Sequence, residues 1–332
     1  MAGHSTATVG SILSATAAAL SEAGCPSPQA DAEQLVMHAG GLSRTDMIFA
    51  RRDPVGPGDP LLTELPPLVA RRAAREPLQH ILGTAPMGRL DLAVGPGVFV
   101  PRPETELVAQ WCVDELGKDL LDDAPDRRKA PQPTGAGPVV VDLCTGSGAL
   151  ALAIADQIPA ASVTGVELDP VALDWARRNL ATCREMWAGE RGARKGEVRL
   201  VGGDVTDPAL VGEASMLADL RGRADLVVSN PPYVPLATDV DAEVRHDPHH
   251  AVFGGDDGLD VIRPMMNTVR ALLKPGGIVA IEHDDDSGAD MTALLAGTGI
   301  FHGIEVHRDL AGRDRFTTAR RRSTDEGTDQ AT

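Results

Sequence analysis

The sequence predicts an α/β protein: a small N-terminal helical domain followed by a Rossmann-like, doubly wound domain on a seven-stranded sheet. Three observations carry this. Apolar residues recur at helical spacing up to about Arg75, a Gly-rich turn follows the apolar run Val139 to Leu143, and apolar runs then alternate with helical stretches.

The helical part comes first. Val9, Leu13, Ala17 and Leu20 recur every three or four residues, Ala32, Leu35, Val36 and Ala39 mark a second helix, and Leu61 to Ala74 a third. Strand signals are absent there. Between Gly88 and Val100, Leu90, Leu92 and Val94 alternate, Gly95-Pro96-Gly97 breaks the run, and Val98 and Val100 resume it, which predicts a β-hairpin. Glu104 to Leu116 returns to helical spacing, and Asp122 to Pro138, rich in Pro, Asp, Arg and Gly, is a predicted loop. Seven strands follow: Val139 to Leu143, Ser162 to Val166, Val198 to Val201, Asp225 to Ser229, Ile278 to Glu282, Gly303 to His307 and Arg315 to Ala319. The expected domains are residues 1–86, a β-hairpin linker at 87–103, the α/β domain at 104–322 and a disordered tail at 323–332.

A chain of 332 residues with 42% hydrophobic content supplies a core for each domain. No stretch reaches the roughly 20 apolar residues that cross a bilayer, and the N-terminus lacks a signal-peptide pattern. No membrane partner and a cytoplasmic location are expected. Cys25, Cys112, Cys144 and Cys183 are scattered, with no CxxC pair, so neither a zinc site nor a disulfide framework is suggested. A net charge of -17 repels phosphate backbones and disfavours nucleic acid as a partner.

Asp142-Leu143-Cys144-Thr145-Gly146-Ser147-Gly148 follows a strand and opens a helix, so its backbone can approach a ligand closely. An ordinary strand-to-helix turn is the competing interpretation. Glu167 ends the next strand about 20 residues on, where a carboxylate accepts from both ribose hydroxyls of a nucleoside. Asp204 closes the third strand, placed to accept from an adenine amine while the Val205 N–H meets a ring nitrogen; a helix N-cap is the alternative. DLCTGSG is not the GxGxxG pyrophosphate fingerprint, which argues against NAD and for S-adenosylmethionine.

The fourth strand delivers Asn230-Pro231-Pro232-Tyr233 to the ligand edge of the sheet. Both prolines lack N–H groups, so neighbouring carbonyls are left as rigid acceptors. A planar NH2 nitrogen is a poor nucleophile because its lone pair is delocalised. Donation of its two N–H groups to the Asn230 side-chain oxygen and the Pro231 carbonyl turns that lone pair towards an incoming methyl group. The sole tyrosine, Tyr233, is expected to pack on the substrate group. Alignment is the main requirement, and no metal is called for.

Here the residues resemble a family. NPPY with DLCTGSG is similar to amino-methyltransferases that include N6-adenine DNA enzymes and glutamine-N5 protein enzymes. Arg75 to Gly83 (REPLQHILG) and Val100 to Glu106 (VPRPETE) resemble the release-factor glutamine methyltransferases (HemK/PrmC-like), as do Gly254 to Leu259 and Asp309 to Arg315. The resemblance covers most of the chain. It implies a class I methyltransferase domain and S-adenosylmethionine bound by Cys144, Thr145, Gly146, Ser147, Gly148, Glu167, Val205 and Asn230. It also implies a substrate site at Asn230 to Tyr233, and release factors as partners through the glutamine of their Gly-Gly-Gln loop, aided by the helical domain. A ribosomal-protein glutamine enzyme, an N6-adenine DNA enzyme and a noncatalytic cofactor-binding module are the alternatives. The chain departs from the family pattern at Cys144, where Gly is usual, at His246-Asp247-Pro248, often Tyr-Glu-Pro, and at Asp284 and Ser287, often Gly and Gln.

Three charged clusters read more plainly. His246, Asp247, His249 and His250, and His283 with its aspartates, are expected to be solvated loops instead of metal sites. Arg320-Arg321-Arg322 is read as a charged terminal segment, and Glu104 and Glu106 either as helix-start acids or as site contacts.

Overall fold

A computed structural model describes residues 7–121, 137–189 and 197–323. The predicted loop from Asp122 and the tail beyond Ser323 fall almost wholly outside those residues. The chain forms two compact units: one runs to Thr84 and adds Val240–His246, and the other comprises Ala85–Asp239 and the chain from Asp247 onward.

The first unit is helical: α1 (Val9–Glu22), α2 (Pro28–Gly40), α3 (Arg44–Phe49), α4 (Pro60–Thr63), α5 (Leu65–Ala73) and α6 (Leu78–Leu82). Thr8 and Ser11 cap α1 reciprocally, satisfying backbone N–H groups that the first turn leaves unpaired. Its buried stripe is Val9, Leu13, Thr16 and Leu20, so Thr16 takes the place expected for Ala17. The single helix expected over Leu61 to Ala74 is interrupted at Glu64. Pro66 and Pro67 have no N–H to return to the preceding turn, so the helix must restart.

The hairpin also differs from expectation: β1 (Thr84–Met87) and β2 (Leu90–Ala93) turn at Gly88-Arg89, and Val98 and Val100 are buried outside any strand. Pro96, Pro101 and Pro103 deny this stretch the N–H groups a ladder needs.

The remaining elements are α7 (Pro103–Leu121), β3 (Val139–Leu143), α8 (Ala149–Gln157), β4 (Ser162–Glu167), α9 (Pro170–Ala188), β5 (Val198–Gly202), β6 (Ala224–Ser229), α10 (His249–Val252), α11 (Ile262–Leu272), β7 (Leu273–Glu282), α12 (Gly288–Gly297), β8 (Phe301–Arg308) and β9 (Asp314–Arg321). The seven strands β3 to β9 form one sheet in the order β5-β4-β3-β6-β7-β9-β8, parallel except for β9. Alternate residues along each strand serve opposite faces: Val140, Leu226 and Val228 pack towards α7, α8 and α9, whereas Val141, Leu143 and Val227 pack towards α11 and α12. Each such fully buried aliphatic side chain contributes about 1.5–3 kcal/mol. The two cores fix the sheet's carboxyl edge, where ligands bind in open α/β sheets. No helix among the described residues is long and apolar enough to cross a membrane.

Candidate active site

Sheet register assembles the site. Leu143 of β3 pairs with Val166 of β4 and Ser229 of β6, and Ser229 pairs in turn with Ile281 of β7. The residues that follow, Cys144, Glu167, Asn230 and Glu282, therefore share one row at the carboxyl edge. The row spans the junction of β3 and β6, where the connections diverge to opposite halves of the sheet and leave a crevice.

The turn after β3 is held from below. Buried Asp142 accepts from the Thr145 hydroxyl at 2.5 Å and from the Ala151 N–H at 3.1 Å through one oxygen, Oδ2. Burial pushes its carboxyl up to about 7, although those bonds oppose the shift. Cys144 has φ +61, the left-handed region that favours glycine, which matches its departure from the family pattern. At Gly146, φ is +56 and an added Cβ would meet no heavy atom within 4 Å, so the space over the turn is open. Glu167 braces the same turn, with Oε2 accepting from the Gly146 N–H at 2.8 Å and Oε1 from the Asp169 N–H at 2.9 Å. Burial raises its carboxyl while these N–H groups oppose the rise. Ser147 is buried, and its carbonyl accepts from the Asn179 amide at 2.9 Å.

Asp204 directs Oδ1 to the N–H and hydroxyl of Thr206 at 2.8 and 2.7 Å. Val205 beside it is buried, its carbonyl accepting from the Thr268 hydroxyl at 2.8 Å. Sheet pairing sets Glu167 opposite Gly202, which brings the ends of β4 and β5 to the same edge.

At the end of β6, Asn230 is half-buried and its Nδ2 donates to the Thr105 hydroxyl at 3.2 Å. Pro231 and Pro232 are buried, and no described donor is directed at the Pro231 carbonyl or at Asn230 Oδ1. The Tyr233 hydroxyl donates to Glu282 Oε1 at 3.0 Å, and its ring packs partly against the core on the α11 side. The glycines of the Gly254 to Gly258 stretch press on this turn. A Cβ at Gly254 would strike the Pro232 carbonyl, and one at Gly258 the Tyr233 carbonyl.

In the clusters expected to be solvated, His246, His249, His250 and Asp286 are exposed, whereas Asp247 and His283 are buried and structural. Asp247 is buried and its carboxylate accepts from the Val100 N–H at 3.2 Å and from Arg102 at 2.6 Å. His283 is fully buried between Thr317 Oγ1 and the Asp284 carbonyl, each at 2.8 Å, and burial lowers its pKa. His249 packs on Phe253, and His250 lies 2.9 Å from the Asp169 carboxylate. Arg320 and Arg321 belong to β9 instead of a tail, because Arg320 reaches Glu115 and the Gly276 carbonyl while Arg321 reaches the Arg270 carbonyl. Glu104 lies 3.7 Å from Arg313, a helix-start acid with a cationic partner.

Asp142, Thr105 and Glu282 are not among the site residues expected from sequence, yet each touches one that is. Glu282 carries the signal used for Glu167, an acid ending an apolar strand. Thr105 sits inside the PRPETE segment with no periodic or spacing cue of its own.

Two family models match the chain, the PrmC N-terminal domain over residues 11–83 and the FtsJ-like methyltransferase over residues 122–305. Relatives named release factor glutamine methyltransferase occur in Corynebacterium glutamicum, Mycolicibacterium smegmatis and Streptomyces coelicolor. They are 46%, 42% and 42% identical to it, over 95%, 93% and 91% of this chain and 99%, 96% and 94% of their own. The FtsJ-like match identifies the methyltransferase domain, and the relatives extend the likeness through the helical unit. Identity at that level over nearly the full length of each partner makes the chain a member of the release factor glutamine methyltransferase family.

Proposed function

We propose that this protein transfers a methyl group from S-adenosylmethionine to the side-chain amide of the glutamine in the Gly-Gly-Gln loop of peptide chain release factors, acting in the cytoplasm. One observation carries the reading: Asn230 Oδ1 and the Pro231 carbonyl are acceptors without described donors, at the edge of the crevice beside the Gly-rich turn.

The residues present fit the cofactor. Open space lies over Gly146, and Glu167 uses one lone pair of each oxygen on a backbone N–H, which leaves others for the ribose hydroxyls. Cys144, Thr145, Gly146, Ser147 and Gly148 would hold the amino-acid end, Asp204 would accept from the adenine amine and the Val205 N–H would donate to a ring nitrogen. When bound, the cofactor supplies a sulfonium methyl whose leaving group is a neutral thioether.

Asn230 Oδ1 and the Pro231 carbonyl each accept one N–H of the glutamine amide, and Pro232 and Tyr233 wall the side chain. This turns the nitrogen's lone-pair lobe outward. The nitrogen gains the methyl group and gives up one proton to water. Alignment of this kind supplies up to about 7–11 kcal/mol of a barrier, so no strong general acid is needed. The helical domain, residues 1–86, binds the release factor.

The test incubates the protein and labelled cofactor separately with release factor, its Gln-to-Ala loop variant, ribosomal proteins and DNA. Label is expected on wild-type release factor alone. Label on DNA alone, or equally on the loop variant, overturns the reading. Asn230→Ala is expected to lower turnover by at least about 10²–10³-fold while cofactor binding by calorimetry stays measurable.

A further inference from the structure

An asparagine amide can sit either way round in its site, and only one orientation presents oxygen to a substrate N–H. The surroundings of Asn230 decide between them. Its amide faces the hydroxyl of Thr105, a residue only 2% exposed. A threonine hydroxyl has one hydrogen to give and lone pairs to receive, so where that hydrogen goes sets what Asn230 must offer.

Glu282 offers the acceptor. This residue, 1% exposed, occupies the next place in the strand-end row, accepts from Tyr233 at 3.0 Å through Oε1, and keeps a buried Oε2 to which no described residue donates; the Thr105 and Tyr233 hydroxyls both favour its carboxylate form. An ionised carboxylate only accepts. With its hydrogen turned to Glu282, Thr105 presents lone pairs to Asn230, which answers with NH2 and turns Oδ1 away. The reversed amide would set two oxygens against each other.

We infer that Thr105, in the segment preceding the sheet, is a positioning residue that fixes the amide orientation of Asn230, with Glu282 setting the polarity of the relay and anchoring Tyr233. This rests on the proposed function for the meaning of Oδ1, though not for the orientation itself. The relay also has a pH signature. Burial pushes the Glu282 carboxyl up to about 7, against the bonds from Thr105 and Tyr233 and the charge of Arg315 on β9, while Glu104 on α7 adds to the rise. Once protonated, Glu282 can donate, and the polarity at Thr105 is no longer fixed. Turnover should therefore fall on the acid side of about pH 7 and lose that limb in Glu282→Gln.

The decisive comparison is Thr105→Val, which keeps the shape and removes the hydroxyl, against Thr105→Ser, which restores it. Thr105→Val should lower kcat by about 10²-fold with cofactor affinity within about twofold of wild type, and Thr105→Ser should recover most of the rate. In parallel, the Asn230 side-chain NH2 is followed by 1H–15N correlation. Its hydrogen exchange should be slow in wild type and Thr105→Ser and fast in Thr105→Val. Wild-type rate and slow exchange in Thr105→Val overturn the inference, as does Thr105→Ser behaving like Thr105→Val. A wild-type protein that leaves release factor unmethylated refutes the proposed function instead, and the exchange comparison still decides the role of Thr105.

Discussion

Glu243 in the helical unit and Glu282 in the sheet unit are both glutamates withdrawn from water, with side-chain exposure of 13% and residue exposure of 1%. Burial alone would raise both. At Glu243 it is outweighed by Arg75, which donates through Nε at 2.8 Å and Nη2 at 2.5 Å, and by Arg72 at 2.9 Å, so the carboxyl is held at about 2. Arg72 is itself shared with Asp31 at 2.7 Å. At Glu282 the Thr105 and Tyr233 hydroxyls and the charge of Arg315 oppose burial without outweighing it, Oε2 accepts from no described residue, and the carboxyl stands at about 7. The contrast separates two uses of a buried acid. A fully paired carboxylate ties the Val240–His246 stretch into the helical unit, whereas an under-paired one remains able to change state beside the Asn230–Tyr233 turn.

The comparison is most exposed to Glu243→Ala. Removing one member of a buried ion cluster leaves guanidinium charge uncompensated and should cost about 3–5 kcal/mol in urea unfolding. The sign with pH follows from a depressed folded pKa. Glu243 stabilises fully above its unfolded value near 4.5, and that contribution is lost as pH falls towards about 2.

Glu282→Gln should do the reverse. A folded pKa raised from 4.5 to about 7 means stability present at low pH and lost as pH rises through that window. The neutral amide should therefore gain about 2–3 kcal/mol over wild type at pH 8, and close to nothing at pH 4, while turnover falls. Equal gains at both pH values would end the distinction between the two acids.

Among the described residues, each unit also holds one non-glycine residue in left-handed backbone, Arg75 at φ +67 and Cys144 at φ +61. Glycine relieves both. Arg75→Gly should nevertheless destabilise, because the forked contact to Glu243 goes with the side chain. Cys144→Gly should stabilise by about 1 kcal/mol in thermal unfolding, the smallest of these effects, since only partial packing is lost there. A loss at Cys144 would show that the site turn also depends on its side chain.

Much of the molecule is legible in its residues. The strand segments expected from sequence fall within all seven strands of the sheet, most plainly at β3, β4 and β6, which are buried on both faces and therefore apolar almost without interruption, and least plainly at β8, an edge strand in which only Phe301 is buried. Gly146, Glu167, Asp204 and Asn230 are readable for a related reason: a glycine or polar residue at the end of such a strand, or within three residues of it, marks the sheet's carboxyl edge. The hairpin and the helix break at Glu64 are harder to read, since proline placement overrode patterns that alternation and periodicity suggested.

What the sequence determined alone is which chemistry reaches that edge, through local signals that need only their neighbours in the chain. Tertiary structure decided the partnerships. Thr105 meets Asn230 across 125 positions, Tyr233 meets Glu282 across 49, and Arg75 meets Glu243 across 168. Parallel register and long-range packing bring these groups together, and no period or spacing along the chain encodes a hydrogen bond between residues so far apart. The same packing strips water from each carboxyl, so whether an acid becomes a fixed anchor or a titrating group is settled only by what the fold sets beside it.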